Sequence, residues 1–128
     1  MRLLKTKSFS RWARKEGLRD KALLEATEEM RHGLVDADLG SGLMKKRVAR
    51  AGGGKSGGYR VLAATDMRLR CVFLYGYAKS ERDDLDDREL AGLKRLAQAY
   101  LGLDEEAVER GLALGQLMEV DSGESKTA

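Results

Sequence analysis

Between Leu69 and Tyr75 the chain places Leu69, Cys71, Val72, Phe73, Leu74 and Tyr75 in a nearly continuous apolar run. A strand with one solvated face alternates apolar and polar residues, so a strand that is apolar at almost every position needs cover on both faces. The run therefore predicts a central strand over Leu69–Tyr77, sandwiched between other layers. Cys71, the chain's single cysteine, reads as a small buried core residue. The only histidine lies far away in sequence, so no base is placed to activate the thiol.

Two more β-prone runs, Leu43–Arg50 and Gly58–Thr65, precede it. The tight turn Asp66-Met67-Arg68 joins the second run to the third, and the glycine-rich stretch Ala51–Gly57 joins the first two, which predicts an antiparallel meander. Upstream, Ser8 is placed to cap a helix whose Phe9, Trp12 and Ala13 share a face and whose terminator is Gly17. Asp20 is placed to cap a second helix, in which Leu23, Ala26, Thr27 and Met30 follow the helical period up to Gly33. The two make a helical hairpin. His32 sits in the last turn, where a cationic side chain suits the macrodipole.

Downstream, Asp83, Asp84, Asp86 and Asp87 precede a helix with apolar Leu90, Leu93, Leu96, Ala97, Tyr100 and Leu101. Carboxylates adjacent in sequence at a helix entrance favour its positive end, which accounts for them better than a divalent cation does. Asp104 then caps a short helix ending near Leu114, and residues from about 116 to 128 read as a partly flexible tail. A chain of 128 residues without an internal repeat is sized for one domain, 1–128. No run approaches the roughly 20 apolar residues that span a bilayer, and the N-terminus lacks the apolar stretch of a secretion signal. The expectation is a cytoplasmic protein without a membrane partner.

Charge divides unevenly along the chain. Residues 1–82 carry 19 Lys/Arg against 9 Asp/Glu, a net +10, whereas residues 83–128 carry 5 against 12, a net −7. A basic body suggests a polyanionic partner, most often nucleic acid. Gly54-Lys55-Ser56 invites a P-loop reading, but Ala49 stands where the first glycine of that motif belongs and a strand, not a helix, follows. The loop's amides can still hold a single phosphate. The broader constellation is Lys45, Lys46, Arg47, Arg50, Lys55, Arg60, Lys79 and Arg82, accompanied by Tyr59, Tyr75 and Tyr77, whose rings can stack on unpaired bases. Strand alternation puts Lys45 and Arg47 on one face and Lys46 and Arg50 on the other, so they cannot all serve one site.

The succession Leu43-Met44-Lys45-Lys46-Arg47-Val48-Ala49-Arg50, then Gly54-Lys55-Ser56-Gly57-Gly58-Tyr59-Arg60, then Phe73 to Arg82 resembles the RelE/HigE-type toxins of bacterial type II toxin–antitoxin systems. Lys5 to Trp12 and Gly33 to Gly40 fit the same group, so the resemblance covers about residues 3–115. It implies a small α+β domain, a twisted and mainly antiparallel sheet carrying an N-terminal helical hairpin and C-terminal helices. It also implies cleavage of messenger RNA on the ribosome without a cofactor or metal, and silencing by a cognate antitoxin; operator DNA would be met only through the antitoxin complex. In that chemistry the ribose 2′-OH attacks the adjacent phosphate, and cations stabilise the phosphorane while proton carriers serve both oxygens.

By motif, the resemblance assigns Arg60 to the transition state, followed by Lys79 and Arg82, with Arg47 and Lys45 completing the catalytic group. Lys46, Arg50, Lys55, Tyr59 and Tyr77 are the RNA-binding candidates. The chain departs from the better-studied toxins after Arg82, where a candidate general-base tyrosine is replaced by aspartates; Tyr77 or a lysine would have to substitute. Two other readings stay open at this level: a noncatalytic, ParE-like inhibitor of DNA gyrase, and a DNA-binding regulator acting with an antitoxin. The acidic C-terminal region is also expected to pair with the protein's own cations.

Overall fold

The computed structural model describes residues 1–50 and 57–121. In chain order these form β1 (Arg2–Thr6), α1 (Lys7–Glu16), α2 (Asp20–Arg31), β2 (Ala37–Asp38), β3 (Leu43–Val48), β4 (Tyr59–Thr65), β5 (Arg70–Ala78), α3 (Asp87–Leu101), α4 (Glu105–Ala113) and β6 (Leu117–Glu119). The strands make one mixed sheet in the order β2-β3-β4-β5-β1-β6. β3, β4 and β5 form the antiparallel meander, and β1 runs parallel to β5 with Leu3 opposite Cys71 and Lys5 opposite Phe73. The α+β class and the order of the helical hairpin, the meander and the two C-terminal helices agree with the sequence reading, to which β1, β2 and β6 are added.

β5 is covered on both faces, as its apolar run demands. Cys71 and Phe73 join Phe9, Ala13, Leu23 and Ala26 in the core beneath α1 and α2. Val72 and Leu74 join Leu4, Leu62, Ala97 and Val108 in the core beneath α3 and α4. A register shift at Leu62/Ala63 makes room for both: Phe73 lies opposite Ala63 and Tyr75 opposite Leu62, leaving Leu74 as the extra residue of a bulge. Beyond the bulge Tyr75 and Tyr77 point to the α3 face, and Gly76 faces α1. A Cβ at Gly76 would lie 2.2 Å from the Trp12 ring, so only glycine allows this close approach.

Several local features differ from expectation. The cap of α1 is Thr6, whose hydroxyl accepts from the Phe9 N–H at 3.1 Å, because β1 runs straight into the helix and leaves Ser8 inside it. Asp20 opens α2 without capping it; its carboxylate accepts instead from Lys5 Nζ and from the Asp121 N–H, each at 2.7 Å. Asp86, from the aspartate run, does cap α3 in a reciprocal box with Glu89. The expected tail from residue 116 is corrected over its first part: Leu117–Glu119 form β6, antiparallel to β1, with Leu117 buried. Three residues are too few for alternation to announce a strand, and β6 exists only because β1 offers it an edge.

Replacing Leu117 with Ala should cost about 2–5 kcal/mol, as for other large buried aliphatics; an unchanged urea midpoint would return this segment to the status of a tail. Burial pushes the Cys71 thiol up to about 12. Iodoacetamide at neutral pH should therefore label Cys71 only after denaturant is added.

Candidate functional site

Strand register decides which cations meet. Lys45 pairs with Leu62 and Arg47 with Arg60 across β3 and β4, while Arg60 pairs with Tyr77 across β4 and β5. Lys45, Arg47, Arg60, Tyr75 and Tyr77 therefore share the α3 face, at the end of the sheet from which β5 leads into residues 79–86. Arg47 and Arg60 stand directly opposite each other, an arrangement that is destabilising for like charges unless something neutralises it. Asp36 does so. One carboxylate oxygen accepts from Arg47 Nε and the other lies 3.3 Å from Arg60 Nε. Its backbone N–H donates to the Lys45 carbonyl at 2.9 Å, which anchors it where β2 meets β3.

The segment after β5 brings the remaining candidates to the same end. Lys79 Nζ donates to the Asp83 carbonyl at 3.1 Å, and Arg82 Nε donates to the Asp84 carbonyl at 3.1 Å. The Arg82 guanidinium also grips Glu89 through both terminal nitrogens and lies over the Tyr77 ring, 5.6 Å from its centroid. The Asp84 carboxylate is 3.5 Å from Lys45 Nζ. The Leu85 N–H holds its pKa below the ordinary aspartate value, helped by Lys45 and Lys79 against the cost of burial. Glu89 is held at about 2, first by Arg82 and then by the Asp86 N–H.

Tyr77 lies at the centre. Its hydroxyl is buried and has no hydrogen-bond partner among the described residues. Burial pushes its pKa up, reinforced by Asp84 and opposed by Arg60 and Arg82. At neutral pH this phenol stays protonated, which makes it a poor substitute for a general base. Its ring is too well covered to stack on a base, contrary to the RNA-binding role expected for it.

Three other RNA-binding candidates lie apart from this group. Lys46 faces α2, buried, with Nζ 2.8 Å from Glu29. Arg50 lies over the Tyr59 ring and 3.6 Å from Glu16, and the Tyr59 hydroxyl donates to the Glu16 carbonyl at 3.1 Å. These three fasten the helical hairpin to the opposite face of the sheet. Lys55 lies outside the described residues. The expected pairing of the acidic residues 83–128 with the protein's own cations is present and falls in two places. Glu105, Glu109 and Glu119 pair with Arg2, and Glu105 also pairs with Arg70, whereas the five catalytic candidates are matched by Asp36, Asp83, Asp84 and Glu89.

Asp36 and Asp84 escaped the sequence reading as site residues. The strand that positions Asp36 is two residues long, and Asp84 looks like any other member of an aspartate run at a helix entrance. Among the described residues no group of three His, Cys, Asp or Glu side chains is placed to hold a metal ion, and no helix is long and apolar enough to cross a membrane. A family model described as RelE toxin of the RelE / RelB toxin-antitoxin system matches residues 1–120. No curated protein matches the chain.

The Glu89–Arg82 contact gives a pH test. A carboxylate whose folded pKa is depressed contributes stability that is complete above its unfolded value and lost as pH falls through the folded value. Carbon-13 titration should place Glu89 near 2 in the native protein. In Arg82→Gln it should return toward the ordinary glutamate range, near 4.3; a titration unaffected by the substitution would remove Arg82 as the cause.

Proposed function

Because the chain belongs to the RelE toxin family, and so is the toxin of a toxin–antitoxin pair with an antitoxin as partner, we propose that it is a ribosome-dependent endoribonuclease of the cytoplasm that cuts messenger RNA by 2′-OH attack on the adjacent phosphate. The observation that carries this reading is the gathering of Lys45, Arg47, Arg60, Lys79 and Arg82 at one end of the sheet, with Arg60 opposite both Arg47 and Tyr77 in register and Arg82 over the Tyr77 ring. A phosphorane needs hydrogen-bond donors aimed at its oxygens, and this end of the sheet offers them from a scaffold already ordered.

In the proposed reaction the 2′-oxygen bonds to phosphorus and the bond from phosphorus to the 5′-oxygen breaks. The products are a 2′,3′-cyclic phosphate and a free 5′-hydroxyl. Arg60, fixed in the sheet by Asp36, places its planar fork against the equatorial phosphate oxygens, with Arg47 beside it. The Tyr77 ring backs the Arg82 guanidinium, which lies 5.6 Å from its centroid. Asp84, held ionised by its neighbours, takes the 2′-OH proton. The ammonium of Lys45 or Lys79 returns a proton to the departing oxygen.

Each cation is matched by a carboxylate, so RNA phosphates compete with groups of the protein's own. For the exposed pairs the competition is easy, since such ion pairs contribute roughly 0–1 kcal/mol. Arg60 and Asp36, with side chains only 10% and 15% exposed, are harder to part and serve as the fixed floor of the site.

Induced without antitoxin, the wild-type chain should arrest growth with new message 5′ ends mapping inside codons. Arg60→Lys keeps the charge but loses the fork, and should slow cleavage by about 10²–10³-fold, the cost of losing one oriented oxyanion donor. Asp84→Asn should slow cleavage without weakening RNA binding, because it removes a negative charge from the site. Arrest with intact messages would overturn the nuclease reading, and weaker RNA binding by Asp84→Asn would overturn the role given to that carboxylate.

A further inference from the structure

β1 accompanies β5 only as far as Phe73, because the chain turns at Thr6 into α1. From Leu74 to Tyr77, β5 has a strand neighbour on the β4 side alone among the described residues. The open edge forms one wall of a cleft of about 380 Å³, closed on the other side by the first turns of α1. Phe9 and Trp12 line it from the helix, and Tyr75, Gly76, Tyr77 and Arg82 from the strand and the segment beyond. Trp12 is fixed by three contacts. Its ring lies 5.5 Å from Phe9, stands edge-on to Tyr59 at 5.5 Å, and occupies the space a side chain at Gly76 would fill. Tyr75, 6.4 Å from Tyr77, remains partly exposed at the mouth.

We propose that this cleft takes one unpaired nucleobase of the RNA strand whose phosphate lies on Arg60 and Lys45. The assignment rests on the endoribonuclease reading and adds to it a site for base selection. Three features point to a base rather than to a purely apolar guest. Trp12 and the partly exposed Tyr75 offer stacking surfaces, which every base can use. The open strand edge offers backbone N–H and C=O groups in the plane of the sheet, the kind of donor and acceptor pattern that reads a base edge. Tyr77 and Arg82 belong both to the cleft and to the cation cluster, so a nucleotide with its phosphate on the cluster has its base within reach of the cleft. The edge is only four residues long and is closed off by α1, which suits a single base better than an added peptide strand.

Trp12 is the chain's single tryptophan and reports on the cleft directly. The full-length protein is titrated at low salt with each of the four 2′-O-methyl homotrinucleotides, whose blocked 2′-oxygen prevents cleavage, and with tripolyphosphate as a probe of the cations alone. The trinucleotides should quench Trp12 fluorescence saturably and with different affinities, and tripolyphosphate should bind without quenching. Tyr75→Ala should weaken trinucleotide binding about tenfold, within the range for losing one stacked base, and leave the salt dependence unchanged. Tyr75→Phe should bind like the wild type. Trinucleotide binding that leaves Trp12 unaffected, no quenching up to millimolar trinucleotide, equal quenching by tripolyphosphate, or a Tyr75→Ala defect equally large for tripolyphosphate would each overturn the base site. Saturable quenching by a protein that never cuts messages in cells would support the cleft and overturn only the nuclease reading.

Discussion

Burial of β5 on both faces is the constraint from which the rest of the molecule follows. Its side chains reach one core beneath α1 and α2 and a second beneath α3 and α4, so the middle of the sheet has no room for charge. The candidate cations stand instead at the end where β4 begins and β5 leads into residues 79–86. There the strands still supply order: register alone brings Lys45, Arg47, Arg60 and Tyr77 onto one face with fixed neighbours. A single bulge at Leu74 serves both needs, since it fills the second core and turns the two tyrosines beyond it toward the cations.

Gathering five cations is unfavourable unless their repulsion is relieved, and the protein relieves it locally. Asp36 spans the two arginines that strand pairing would otherwise leave face to face. Asp83, Asp84 and Glu89 meet the other three, from the stretch that follows β5 and the first turn of α3. The same stretch begins a helix, so Asp86 and Glu89 are already committed to capping it. Glu105 and Glu109 of α4 and Glu119 of β6 work at the far end of the sheet, where they hold Arg2 and Arg70. Acidity that looks like one block along the chain is thus divided between two tasks.

The opposite face shows the reverse use of the same residue types. Lys46, Arg50 and Tyr59 resemble nucleic-acid ligands in sequence, yet each is engaged by α1 or α2. A period of two correctly puts Lys46 and Arg50 on the other side from Lys45 and Arg47. It says nothing of what covers that side, which depends on how the helical hairpin folds back from β1.

Local pattern in the sequence determined the meander, the helical hairpin, the buried cysteine, the α3 entrance and the motif that carries the family resemblance. Each of these depends on spacing within a few residues, where side-chain period and capping chemistry act directly. Only the tertiary structure decided the parallel pairing of β1, the existence of β6, the partners of each cation and the burial of the Tyr77 hydroxyl. All four depend on groups brought together across long separations in sequence, such as Thr6 with Leu117 and Lys45 with Asp84. Which carboxylate meets which cation is a property of register and chain reversal, and no period along the chain encodes it.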